Sequence, residues 1–291
     1  MARVYLGPAG IPIGAKERKR SAGTIDGIRY VSEVGLNAME VEFVQGGVRM
    51  TREAAQEAGE VARELGVRLS VHAPYFINLC SEEKDKVEAS LTRLQESLDR
   101  GGEAMGATVV VFHPAYYGKL GPEGGCYNAV KDGVLRIIDW MKENDIKNVK
   151  LGLEVMARKS QFGGLEETFR LVKEINHPQV VAVIDWGGHV FARNGGSIDY
   201  RAVLNMWREY FGDQPMHTHF TCVKYRKGEW VDEHEPIDTN NPPFEPPLAR
   251  ELGSEDIEIT IINESPLLEK DALKMKEMLL KYNNVLVGGL H

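Results

Sequence analysis

Six side chains able to bind a metal or carry a proton stand at or near the ends of short apolar runs. His72 closes VRLSVH (67–72), His113 closes TVVVFH (108–113) and Asp185 closes VVAVID (180–185). Glu154 lies in VKLGLEV (149–155), His217 lies in PMHTHF (215–220), and Glu264 directly follows IEITIIN (257–263). Three more candidates fall in what read as loops beyond such ends: His189 in IDWGGH, and Asp232 with His234 as a D-x-H pair in WVDEH. Five imidazoles and four carboxylates without a thiolate suit zinc, manganese or iron. Nine ligands exceed what one ion takes. Two or three divalent ions sharing a bridging carboxylate are therefore expected, an arrangement suited to phosphoester hydrolysis. One polar residue at a strand end would be ordinary. Six of eight strands ending this way is not.

The elements that must position them alternate along the chain. Strands are expected at 4–6, 38–43, 67–72, 108–113, 149–155, 180–185, 215–220 and 257–263, as near-continuous apolar runs of the kind found in buried parallel sheets. Helical patterns fall at roughly 24–34, 51–65, 82–105, 126–144, 165–176, 199–211 and 268–282. Thr51 reads as the cap of the second, and several helices stop at a glycine, as in EVG (33–35) and ELG (64–66). Eight strands with helices between them give the count of a (β/α)8 TIM barrel, an α/β fold, as a single domain over 1–291. No GxGxxG or Walker A pattern supports an open doubly wound sheet instead. In a barrel all C-terminal strand ends open on one face, so the candidate ligands converge. The Pro-rich DTNNPPFEPP (238–247) reads as a loop on that face.

The chain of 291 residues has a net charge of −8, with 43% apolar and 27% charged residues. That composition is globular and excludes disordered or collagenous classes. The charge disfavours a surface coated by nucleic acid while allowing a local basic patch. Such a patch is expected around the metals: AKERKR (15–20) supplies Lys16, Arg18, Lys19 and Arg20, and other loops supply Arg49, Arg158, Lys159, Arg193, Lys224, Arg226 and Lys227. Arg18, Lys19 and Arg49 are the basic residues expected to meet an anionic phosphoester substrate. No apolar run approaches the ~18 residues of a membrane span, and MARVYLGPAG lacks a signal peptide's apolar middle, so a cytoplasmic protein is expected. Cys80, Cys126 and Cys222 are scattered and odd in number, which argues against a disulfide framework.

HAPYFINL (72–79), FHP (112–114), LEV (153–155), VID (183–185), MH (216–217), D-x-H (232–234) and NES (263–265) resemble endonuclease IV, the metal-dependent apurinic/apyrimidinic endonucleases among the xylose-isomerase-like barrels. The resemblance runs over essentially the whole chain. It implies three metal sites: His72 and His113 with Glu154; Glu154 shared with Asp185, His217 and Glu264; and His189, Asp232 and His234. It implies hydrolysis of the phosphodiester 5′ to an abasic site in DNA, with Glu154 and Glu264 beside the reacting centre. Tyr75 and Phe76 match the positions of residues that wedge into the DNA stack, against ordinary loop packing as the alternative. One spacing differs: Asp185 and His189 are D-x-x-x-H, where the family has D-x-x-H. A tight turn through Gly187 and Gly188 with φ > 0 is expected to absorb the extra residue and bring His189 to Asp232 and His234.

Two other activities share parts of this set. One is the same metal chemistry on a small phosphorylated substrate. The other is a sugar or sugar-phosphate isomerase or epimerase using only Glu154, Asp185, His217 and Glu264. His219 shares a strand face with His217 and is an alternative ligand, whereas His177 and His291 read as loop and tail residues. Glu40 and Glu42 read as structural, and Trp186 reads as either a stacking platform or a packed residue.

Overall fold

The protein is described by a computed structural model covering residues 1–44 and 47–288; His291 lies outside the described residues. All eight expected strands form. They are β1 (Arg3–Pro8), β2 (Ala38–Glu42), β3 (Arg68–His72), β4 (Val109–Phe112), β5 (Lys150–Glu154), β6 (Val180–Asp185), β7 (Met216–Phe220) and β8 (Glu258–Asn263). Every residue of β4, β6 and β7 is buried. Burial on both faces explains why these strands read as unbroken apolar runs.

The chain divides into two compact units. The first comprises Met1–Glu40, Val61–Arg68 and Ile184–His291. Within it β1 pairs in parallel with β8 and with the short strand Val285–Leu286, and β8 pairs in parallel with β7, His217 opposite Thr260 and His219 opposite Ile262. The second comprises Val41–Glu60 and Leu69–Val183. Here β3, β4, β5 and β6 pair in parallel succession, and Glu154 stands opposite Val183, two residues before Asp185.

Helices follow the strands as patterned: Thr24–Glu33, Arg52–Leu65, Lys84–Ser97, Cys126–Glu143, Leu165–Ile175, Tyr200–Phe211 and Glu269–Leu280. Thr51 Oγ1 accepts the Ala54 amide at 3.2 Å, the capping bond its position called for. Gly35 and Gly66, with φ of 78° and 67°, turn the chain out of their helices where a side chain would be strained. Among the described residues, no helix is long and apolar enough to cross a membrane.

The structure corrects several expectations. The basic stretch after β1 is not all loop, since Ile13–Arg18 is helical. The long helix expected to 105 gives way after Ser97 to a wider π-helical segment, Leu98–Ala104. Gly101 and Gly102 lie there against Val71 and Val149, so close that a Cβ could not be added without displacing those side chains. Asp232 and His234 are not in a loop but on a strand, Glu229–Glu235, paired antiparallel with Cys222–Arg226. The register slips between Val223 and Lys224, opposite Asp232 and Glu233, and across this irregularity His234 Nε2 lies 3.2 Å from Asp232 Oδ1. Cys80 and Cys126 form a disulfide, Cα atoms 5.1 Å apart, while Cys222 is buried and free. Residues 46 apart meet because His72's loop and the helix from Cys126 are folded together, which a count of cysteines does not reveal.

Candidate metal centre

In the second unit the ends of β3, β4 and β5 bring His72, His113 and Glu154 together. Glu154 Oε2 lies 3.2 Å from His72 Nε2 and 3.0 Å from His113 Nε2, with Glu154 only 1% exposed. His72 Nδ1 donates to the Ala73 carbonyl at 2.8 Å. That bond turns Nε2 towards the carboxylate oxygen, and a neutral ring there would set two acceptors on one another. A divalent cation between them resolves the conflict, and a carbonyl on the remote nitrogen is the usual support of a metal-binding imidazole. Tyr75 stacks on the His113 ring, centroids 5.2 Å apart and planes 24° apart, and meets His72 edge-on. Tyr75 is 46% exposed and Phe76 69% exposed, large apolar surfaces held beside the ligands.

In the first unit the end of β6 is built differently. Asp185 Oδ1 accepts the amides of Gly187 at 3.1 Å and Gly188 at 2.9 Å, capping a π-helical turn from Trp186 to Phe191. This turn accommodates the extra residue in the D-x-x-x-H spacing, since a π turn is one residue wider than an α turn. The mechanism differs from the one expected, because neither glycine has positive φ. A Cβ on Gly187 would overlap the Thr221 carbonyl, and one on Gly188 would overlap the Asp185 carboxylate. Both positions need glycine for close approach, not for backbone freedom. His189 then reaches Asp232, Nε2 to Oδ2 at 3.2 Å, and its Nδ1 lies 3.6 Å from Asp185 Oδ2. His234 Nε2 lies 3.2 Å from Asp232 Oδ1 and 4.0 Å from Glu264 Oε2. Burial pushes the Asp232 carboxyl up, but His189 and His234 outweigh it and hold the group well below the usual carboxylate range. Burial pulls His234 down, yet Asp232, Glu264 and Asp185 raise its pKa to about 9. A surplus of negative charge around one imidazole is what a cation site leaves when the cation is removed.

A second group in this unit was not foreseen as a cluster. Glu40 on β2, treated as structural from sequence, is fully buried and sits between two histidines of β7. His217 Nε2 donates to Glu40 Oε2 at 3.2 Å, and His219 Nε2 lies 2.9 Å from Glu40 Oε1. His219 Nδ1 lies 3.6 Å from Glu264 Oε1. The histidine of β7 nearest Glu264 is therefore His219, one register step closer to the strand end than His217. The alternation of β7 put both on one face; only the pairing with β8 tells which is beside Glu264.

The basic residues fare unevenly. Arg18 forms a bidentate pair with Glu33 at 2.6 and 2.7 Å, and Lys19 pairs with Asp26 at 2.9 Å. Lys224 and Arg226 pair with Glu233 across the antiparallel ribbon. The expected field of free cations is thus partly neutralised locally, although such exposed pairs are worth only ~0.2–1 kcal/mol and yield to a polyanion. Arg49 is exposed. Trp186 is fully buried against Tyr200 and offers no platform to a ligand. His177 accepts the Gln179 amide in a surface turn, as a loop histidine should.

The donor set, all nitrogen and carboxylate oxygen at converging strand ends, fits divalent metal ions. With parallel strands, intervening helices and histidines and carboxylates at the C-terminal strand ends, the class is an α/β barrel of a kind found in enzymes. The chain belongs to the xylose isomerase-like TIM barrel family, whose model matches residues 28–285. It is 33% identical over 280 residues to an uncharacterized protein of Methanocaldococcus jannaschii, covering 93% of this chain and 94% of that one. It is 31% identical over 191 residues to a protein of Staphylococcus carnosus described as probable endonuclease 4, which covers 62% of this chain and 61% of the relative. In structure it resembles a D-tagatose 3-epimerase-like protein, with a TM-score of 0.68, 21% identity, and coverage of 94% of this chain and 96% of that one. The fold is thus common to proteins named as an endonuclease and as an epimerase-like protein.

Proposed function

We propose that the protein is a divalent-metal-dependent phosphoester hydrolase of the endonuclease IV kind, cleaving the phosphodiester 5′ to abasic sites in DNA. The observation that carries this reading is the His189–Asp232–His234 group, with Asp232 between the two imidazoles at 3.2 Å from each. A sugar epimerase using only Glu154, Asp185, a β7 histidine and Glu264 has no need of it. Support also comes from the relative described as probable endonuclease 4.

In this reading His72, His113 and Glu154 hold one ion, Asp185, Glu264 and a β7 histidine hold a second, and the His189 group holds a third. Bound there, zinc or manganese would acidify water and offset charge on the phosphoryl oxygens. The chain's own residues do the rest. The Ala73 carbonyl and the amides of Gly187 and Gly188 fix the ligands in orientation. Tyr75 and Phe76 offer aromatic faces on which bases beside the lesion can stack, a contact indifferent to sequence. Arg49, and Arg18 and Lys19 once released from their partners, meet the phosphates.

Metal-loaded protein should be incubated in parallel with an abasic-site duplex, simple phosphomonoesters and a ketohexose. Nicking of the duplex 5′ to the lesion is expected, with the other two substrates essentially untouched. Turnover of phosphomonoesters alone would move the assignment to a small-molecule phosphatase, and ketose epimerisation without nicking would refute hydrolysis.

A further inference from the structure

Glu40 has no place in the ligand set just described, yet it is the most thoroughly enclosed carboxylate facing two of the candidate imidazoles. Both Glu40 and His219 are fully buried, and His217 is 3% exposed. A carboxylate removed from water must be paired or coordinated, otherwise it neutralises or destabilises the fold. Each oxygen of Glu40 faces a different ring: Oε2 faces His217 Nε2, and Oε1 faces His219 Nε2.

From this arrangement, and resting on the metal-dependent reading above, we infer that Glu40 is a positioning residue which fixes His219, rather than His217, as the metal-binding imidazole of β7. A carboxylate at Nε2 keeps the proton on that nitrogen and leaves the lone pair on Nδ1. For His219 that lone pair is on the Glu264 side, Nδ1 being 3.6 Å from Glu264 Oε1. His217 sits one step deeper, opposite Thr260, and among the described residues its Nδ1 has no hydrogen-bond partner. Its contribution is to hold the second oxygen of Glu40, so that the carboxylate cannot rotate away from His219.

The cluster is a poor cation site in its own right. Arg68 is anchored to Glu258 at 2.8 Å and to Thr260 Oγ1 at 3.2 Å, at the level of His217, and its positive charge reaches that ring. A second cation beside it would be repelled. The three residues therefore form a buried brace behind the ligands.

Titration of metal-free protein with Co2+, followed by visible absorption and by metal content, tests the brace without any substrate. Glu40→Gln keeps the shape but can accept from only one ring. It should bind the wild-type number of ions at saturation, with one held ~10–100-fold more weakly and with an altered spectrum. His219→Ala should lose one ion at saturation, and His217→Ala should lose none. Unchanged affinity and spectrum in Glu40→Gln would overturn the inference. So would complete loss of an ion in that variant, which would make Glu40 a ligand, or loss of the ion in His217→Ala instead of His219→Ala. If circular dichroism shows Glu40→Gln unfolded, the two histidine variants decide alone. Protein that passes these tests yet leaves every phosphodiester intact refutes the hydrolase reading and leaves the brace standing.

Discussion

The histidines on β3 and β4 and those on β7 are the same chemical groups facing a glutamate at the same 2.9–3.2 Å, but their surroundings differ. His113 is 22% exposed, stacked under a half-exposed Tyr75. His219 and Glu40 see no solvent at all. An imidazole–carboxylate group with one partly exposed ring beside exposed aromatic surface is accessible to substrate. A sealed one is closed to substrate, and its carboxylate can only fix the rings it faces. Residue type alone does not separate a ligand from its support; the identity of the remote nitrogen's partner does.

Four substitutions or conditions would break or sharpen that contrast. Glu154→Gln should be the most damaging to turnover. The amide cannot balance the charge of an ion held with His72 and His113, and a loss of at least about 10²–10³-fold in kcat is expected, as for removal of a principal electrostatic stabiliser. Near-normal kcat under metal saturation would contradict a role for Glu154 at the metal. Trp207→Ala should leave the ligands intact but cost ~3–5 kcal/mol of stability, because Trp207 is fully buried; chemical denaturation measures it.

Phe76→Ala addresses the open side. At 69% exposure the ring adds little to the fold, so stability should change by less than ~0.5 kcal/mol. Affinity for abasic duplex should instead fall by ~1–3 kcal/mol if a base stacks there, measured by fluorescence anisotropy. Equal losses in both would make Phe76 a packing residue. The smallest effect concerns protons. His234, raised to about 9 without metal, carries a proton at pH 7 that a cation must displace. Metal binding should release about one proton at that group, and affinity should rise as pH approaches 9 and flatten beyond it. Calorimetry in buffers of different ionisation enthalpy reads this directly. A buffer-independent heat would mean that His234 takes no part.

Much of this was legible in the chain. The eight strands follow from apolar runs bounded by turn residues, and the ligands stand out because charge at the end of a buried strand needs a reason. The resemblance also forecast the proximity of His189 to Asp232 despite the irregular spacing after Asp185, though through the wrong device. A π-helical turn has no sequence signature beyond glycines, which looked like freedom and are in fact clearance. What stayed hidden depends on contacts between distant segments. Glu40 lies 177 residues from His217, and nothing in AMEVEF marks one glutamate as enclosed. The disulfide and the ribbon carrying Asp232 were missed for the same reason. Likewise the local neutralisation of Arg18 and Lys19 depends on which faces of neighbouring helices meet.

The central claim is that this barrel gathers several divalent ions, and anomalous scattering from metal-loaded crystals tests it most directly. Two or more peaks per chain are predicted, with His189 nitrogen about 2.0–2.1 Å from one of them if zinc is bound, together with Asp232 and His234. A single peak, with His72, His113, Asp232 and His234 all unliganded, would contradict the account and leave an isomerase-type site in its place.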